Sequence, residues 1–134
     1  MFRKVKNNAG FTLLELVLII IILGILAIST MPKFMNLKQE SLNLERTAVI
    51  SAVKSGIDLY RAKKISENAF VVGYPLKLDE EIRGKCQNCF SLVLNVPLED
   101  SSWTKIDESL YKYDDGKVVK TYTYDSLTGD FEQN

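Results

Sequence analysis

The 134-residue chain contains no histidine. That removes the side chain most often used as a general base and the commonest metal ligand. It has two cysteines, too few for a four-cysteine zinc site or a disulfide-dense scaffold. It also lacks a charge excess of either sign: 17 basic and 17 acidic residues balance. A protein that holds nucleic acid on a basic face needs such an excess, so no nucleic-acid partner is expected. No glycine-rich phosphate loop is present, and no Ser, Lys or Asp stands in a nucleophile–base motif. These absences point away from an enzyme and from any resident cofactor or metal. What remains has the average composition of one modest globular domain, or a small domain with an appendage.

The average conceals strong segregation. Residues 1–10 (MFRKVKNNAG) carry Arg3, Lys4 and Lys6 and no acid. Residues 11–31 (FTLLELVLIIIILGILAISTM) have only Thr12, Glu15, Ser29 and Thr30 as polar members. As a helix this stretch spans roughly 30 Å, the thickness of a bilayer core. The basic block before it predicts a cytoplasmic N-terminus and a chain that emerges on the outer side. Three simple readings compete. Ala27-Ile28-Ser29 would serve as a cleavage site for an ordinary signal peptide. The stretch could equally be a plain membrane anchor. A buried core helix fits least, because the run is apolar on all faces.

Glu15 suits none of the three. A carboxylate at the centre of a bilayer costs about 2.5–3.5 kcal/mol on insertion scales, and less near its edge. Such a residue calls for a partner, and no basic side chain lies one turn away within the run. A free α-amine at Phe11, created by cleavage after Gly10, would be largely cationic at neutral pH.

The string Gly10-Phe11-Thr12-Leu13-Leu14-Glu15-Leu16, behind a short basic leader and ahead of an unbroken apolar run, resembles the processing site of type IV prepilins and related pseudopilins. The resemblance covers residues 1 to about 64 well and the rest in outline. It implies that a prepilin peptidase cuts between Gly10 and Phe11 and methylates the new amine of Phe11. It implies that residues 11–32 first anchor the subunit in the inner membrane, among lipid, and later form the core of a helical homo-oligomeric filament. There Glu15 would pair with the Phe11 amine of a neighbour, with the inner-membrane assembly machinery as a further partner. Filaments of the type IVa or mannose-sensitive-haemagglutinin-like kind serve adhesion, motility or DNA uptake. A periplasmic pseudopilin of type II secretion is the alternative. Gly24 and Pro32 fall where such subunits carry helix-weakening residues. Pro32 lacks an N–H and clashes with the preceding turn, which predicts a kink or local melting. Gly24 costs about 1 kcal/mol relative to Ala, or else permits close helix packing. Loss of residues 1–10 removes three basic side chains and no acids, leaving 14 basic against 17 acidic.

The expected fold class is α+β: a long N-terminal helix packed on a C-terminal antiparallel sheet, with residues 33–64 the amphipathic half of the helix and 65–134 a β-rich region. The helix is expected from about 12 to 64, bent near Pro32. Phe34, Leu37, Leu44, Ala48, Ala52 and Leu59 mark an apolar face, widened by Leu42, Val49, Val53, Ile57 and Tyr60. Strands are expected at 69–74 and, most clearly, at 90–98, where apolar residues alternate. Asp114-Asp115-Gly116 predicts a hairpin turn between 110–113 and 117–124, and a further turn at 126–129 leads to a short strand around Phe131.

Cys86-Gln87-Asn88-Cys89 admits three readings. A redox pair would want a helix start at the first Cys, and a metal site would need two more soft ligands. A structural disulfide is favoured outside the cytoplasm. Asp114, Asp115, Asp125 and Asp130 invite a calcium site, but turn formation explains them more simply. Tyr111, Tyr113, Tyr122 and Tyr124 suggest cross-strand pairs, or less strongly a sugar-binding surface.

Overall fold

The structure, a computed structural model, describes residues 10–67 and 73–134. A 55-residue helix, α1 (Leu13–Glu67), is followed by five strands. These are β1 (Gly84–Cys89), β2 (Leu98–Lys105), β3 (Leu110–Asp114), β4 (Val119–Tyr124) and β5 (Phe131–Gln133). They form one antiparallel sheet in the order β1-β2-β3-β4-β5. A long helix packed on an antiparallel sheet is the α+β arrangement expected from the sequence. The chain divides into two compact units, residues 1–41 and 42–134.

The first unit contributes no core. Apart from half-buried Gln39, every described residue in it is exposed. In the second unit, Val53, Gly56 and Ile57 of α1 are buried, with Val49, Ile50 and Tyr60 partly so. This corrects the expected face. Leu44 and Leu59, expected at its centre, are 65% and 64% exposed. Val49, Val53, Ile57 and Tyr60, expected only to widen it, meet the core. Both sets recur at helical spacing, and the sheet selects the β-branched one.

The hairpin stands where Asp114-Asp115-Gly116 places it. Gly116 adopts φ 86°, a left-handed conformation that costs glycine little. Asp114 Oδ1 accepts the Gly116 N–H at 3.0 Å, and Asp115 Oδ1 accepts those of Lys117 and Val118 at 2.9 and 2.7 Å. The last strand begins at Phe131, as expected.

The strand expected at 90–98 is absent. Phe90 takes φ 60°, and its carbonyl accepts the N–H groups of Val93 and Leu94 at 3.1 and 2.9 Å. The segment therefore coils as a turn, burying Phe90 and Val93 three residues apart. Its apolar alternation fitted a strand, but the core takes only one residue per turn. The flanking segments carry the strands instead. β1 holds the Cys-x-x-Cys, and β2 (LEDSSWTK) is too polar to read as a strand. The sequence-predicted strand at 69–74 lies largely outside the described residues; Gly73 and Tyr74 are not in a strand.

The core is aromatic. Trp103, Tyr111, Tyr113, Phe90 and Phe131 are the largest fully or almost fully buried side chains. Phe90 and Tyr111 lie 4.6 Å apart between centroids, Trp103 and Tyr113 5.4 Å, and Tyr122 stacks on Phe131 at 5.6 Å. Such pairs add about 0.5–1.5 kcal/mol each beyond burial. Tyr111 and Tyr122 are direct cross-strand partners. All four tyrosines are buried, so these four rings form no exposed face for a sugar.

Burial, with the Asp79 carboxylate beside it, pushes the Tyr111 phenol far above its ordinary range. Burial, with Asp125 adding to it, pushes Tyr124 up to about 12. Unfolded tyrosine ionises near pH ~10. The folded state thus holds these protons longer, and the stability they supply is intact below pH ~10. It is lost as the pH rises from there through the folded values. Absorbance at 295 nm should show Tyr111 and Tyr124 ionising only together with cooperative loss of circular dichroism. Titration of all six tyrosines near pH ~10 with the fold intact would contradict this.

Candidate functional site

The first turn of α1 gathers the residues singled out from the sequence. Thr12 caps the helix: its Oγ1 accepts the Glu15 N–H at 3.2 Å, and its carbonyl accepts the Leu16 N–H at 3.2 Å. A Thr followed three residues later by Glu is the capping-box pattern, and it is visible in the sequence. Glu15 also places a negative charge in the first turn, where the helix dipole favours it. Gly10 and Phe11 precede the helix, and Phe11 is 77% exposed. Among the described residues no basic side chain forms an ion pair with Glu15.

Beyond Glu15, α1 is long and apolar enough to cross a membrane. Its interior polar groups are satisfied internally: Ser29 Oγ donates to the Ile25 carbonyl at 3.2 Å and Thr30 Oγ1 to that of Ala27 at 3.1 Å. A helix in lipid requires this. Nothing lies within 4 Å of a Cβ placed on Gly24, so that notch is open to a neighbouring helix. The helix Leu13–Glu67 continues as one element past Gly24 and Pro32, although Pro32 has no N–H to donate to the preceding turn.

Cys86 and Cys89 are joined in a disulfide. Both are buried in β1, away from any helix N-terminus. Oxidant or partner thiol has no access there, so the bond acts as a staple for a strand whose pairing with β2 shifts register on either side of Cys86.

A buried ionic group, unforeseen from the sequence, holds the second unit together. Asp79 is fully buried and Lys105 almost so. Asp79 Oδ1 accepts from Lys105 Nζ and from the Glu81 N–H at 3.1 Å; Oδ2 accepts from Tyr111 Oη at 2.8 Å and the Phe90 N–H at 2.9 Å. Four donors thus meet one carboxylate, the arrangement a buried charge requires. Every lone pair is used within the fold, which makes the group structural rather than catalytic. Elsewhere, Asp114, Asp115 and Asp125 accept backbone N–H groups at their turns. Among the described residues no three metal-ligating side chains converge.

Residues 5–31 match the family model described as the prokaryotic N-terminal methylation motif. The type II secretion system core protein G of Vibrio cholerae is 32% identical over 59 residues, 44% of this chain and 40% of that protein. Those of Aeromonas hydrophila and Dickeya chrysanthemi are each 36% identical over 56 residues, 42% of this chain and 39% and 37% of theirs. The chain thus spans about two fifths of the length of the curated relatives it matches. No solved structure matches it.

Proposed function

We propose that this chain, a type IV pilin-like protein by its methylation motif, its relatives and its fold, is a structural subunit that polymerises into a type IV pilus. The observation that carries the proposal is the first unit: a capped helix start whose Glu15 meets no basic side chain among the described residues, followed by an apolar helix exposed on every side. An isolated chain gains nothing from such a surface. In lipid it is an anchor, and in a bundle of identical helices it is a core.

In this reading a prepilin peptidase cuts between Gly10 and Phe11 and methylates the Phe11 amine. Residues 11–32 hold the subunit in the inner membrane, N-terminus inward, until the assembly machinery extracts it. In the filament Glu15 neutralises the Phe11 amine of a neighbour and sets its register. Gly24 and Pro32 are the positions where the helix can yield when it is packed. The second unit, residues 42–134, forms the outer surface of the fibre and would carry any adhesive or motility role.

A second reading is a pseudopilin of type II secretion, favoured by the names of the matched relatives. Their similarity spans 56–59 residues, and both kinds of filament need the same helix. Electron microscopy of cells with and without the protein distinguishes the two. Surface fibres lost with the protein support the pilus; an unchanged surface with exported enzymes retained in the periplasm supports the pseudopilin.

Processing has its own measurement. Intact-mass and peptide spectra of the mature protein should begin at Phe11 with one added methyl group. A mature chain starting at Thr30 would mean ordinary signal-peptidase cleavage and would overturn the assembly proposal.

A further inference from the structure

The turn between β4 and β5 is closed by its own hydrogen bonds and yet holds an apolar side chain in solvent. The Asp125 carbonyl accepts the Gly129 N–H at 2.8 Å, and the Asp125 N–H donates to the Asp130 carbonyl at 2.9 Å. Asp125 Oδ1 accepts the Leu127 N–H at 2.8 Å. Gly129 takes φ 80° with the Tyr74 ring against it, where a Cβ would come within 2.3 Å. Leu127, inside this turn, is 87% exposed. A single exposed leucine is ordinary on a surface. This one is held out by an ordered turn and flanked by acid: residues 121–134 include Asp125, Asp130 and Glu132 and no basic residue.

A cleft of complementary character lies elsewhere on the second unit. It measures about 250 Å³ and sits between the last turns of α1 and the 92–95 segment. Leu59, Leu92 and Leu94 give it apolar walls, and Leu59 and Leu92 are open to solvent. Lys63 and Lys64 also line it. Among the described residues Glu67 is the carboxylate that meets them, at 4.0 and 3.5 Å. Two cations against one acid leave this rim positive.

Cleft and leucine lie on opposite flanks of α1. Arg61 Nη1 donates to Tyr74 Oη at 2.7 Å, and Tyr74 lies against Gly129, so Arg61 marks the flank that carries the 125–130 turn. Leu59 and Lys63, each two positions from Arg61, point about 200° away from it around the helix. A chain therefore cannot seat its own Leu127 in its own cleft. A second copy can. Because the two patches differ, the contact is head-to-tail and repeats from copy to copy rather than closing as a symmetric pair.

We propose that in the assembled fibre Leu127 of one copy seats between Leu59 and Leu92 of the next, with Asp125 and Asp130 facing Lys63 and Lys64. The inference rests on the filament reading and adds a contact between second units to the packing of the apolar helices. The leucine seat removes exposed apolar surface from both copies. The opposed charges select which flank meets which.

The test uses the full chain in cells as sole subunit, with Leu59→Cys and Leu127→Cys introduced together and oxidised by copper–phenanthroline. Both positions are exposed, and the native cysteines are buried in their own disulfide. A ladder of disulfide-linked dimers, trimers and longer oligomers on non-reducing gels is expected from the double variant, and none from either single variant. Adding Lys63→Glu should cut the linked fraction roughly two- to fivefold, as disruption of an exposed charge contact does, and Asp130→Lys should then restore it. Linking by Leu127→Cys alone at the level of the double variant overturns the head-to-tail contact. Unchanged linking after Lys63→Glu overturns the charge pairing. The pilus reading is judged separately, by electron microscopy of cells with the native chain. Absence of native fibres overturns that reading; native fibres with no ladder from the double variant overturn this contact alone.

Discussion

Glu15→Val should abolish filaments while leaving the folded second unit unchanged. Glu15 is the only charged residue among positions 11–31, and among the described residues no basic side chain pairs with it. In an assembled apolar core, its ionised form persists only if a cation meets it, since an unpaired buried charge is strongly unfavourable. The proposed cation is the Phe11 α-amine of a neighbouring copy. Removing the carboxylate leaves that amine unpaired in every subunit contact, so the loss repeats along the fibre. Valine makes the segment more apolar and should, if anything, insert more readily into the membrane. The expected result is therefore full-length, membrane-anchored, correctly cleaved protein and no fibres by electron microscopy. The thermal transition of residues 42–134 should not move, because Glu15 belongs to the other unit. Normal fibres from this variant as sole subunit would eliminate the pairing mechanism.

Lys105→Met should destabilise the second unit by about 3–5 kcal/mol, the usual cost of removing one partner of a buried ion pair. Methionine occupies similar space, so the effect is one of charge rather than of a cavity. The Asp79 carboxylate would keep its bonds from Glu81, Phe90 and Tyr111, all neutral donors, and would lose its one positive partner. For a unit of this size each kcal/mol moves the midpoint by about 4–8 °C. Total stabilities of small domains are only about 5–15 kcal/mol, so the variant should stand near the limit of folding. Asp79→Ala should be at least as damaging, because it strands four donors at once. Trp103 fluorescence during urea unfolding measures both. A loss below about 1 kcal/mol for Lys105→Met would show that the ion pair contributes little net stability.

A smaller effect tests the packing between helix and turn. Gly56 is a helix-interior glycine, where alanine ordinarily gains about 1 kcal/mol. A Cβ there would come within 2.1 Å of the Val93 carbonyl oxygen. Gly56→Ala should therefore destabilise by about 1–3 kcal/mol, by overpacking against backbone that has no room to move. Increased stability would mean that the 90–94 turn shifts freely.

The parts of this fold that could be read directly were those governed by neighbours in sequence. The apolar run and its single carboxylate, the helix beyond it, and the Asp114-Asp115-Gly116 turn depend on local periodicity, capping and backbone preference. The short strand at Phe131 follows from the turn before it. Readings that depended on distant partners failed. The alternation in Phe90–Leu98 satisfied a strand pattern, but a positive φ at Phe90 and two turn bonds direct Phe90 and Val93 inward. No strand was expected over Leu98–Lys105, whose sequence LEDSSWTK is polar; β2 takes an interior place in the sheet with Lys105 buried against Asp79, 26 residues away in sequence.

The helix shows the division most plainly. Its composition alone determined that it is long, that its first half suits lipid or a bundle of copies, and that a lone Glu15 there needs a cation. One wide apolar face was expected along its second half, and periodicity could not say which part of it would be covered, since all of it obeys the same 3.6-residue repeat. Tertiary structure made the choice: the aromatic face of the sheet accepts Val53 and Ile57 and allows the Val93 carbonyl to approach Gly56, where no side chain intervenes. Hydrophobic burial is non-directional, so sequence reports how much apolar surface must be covered, and only the packed sheet decides which of it is.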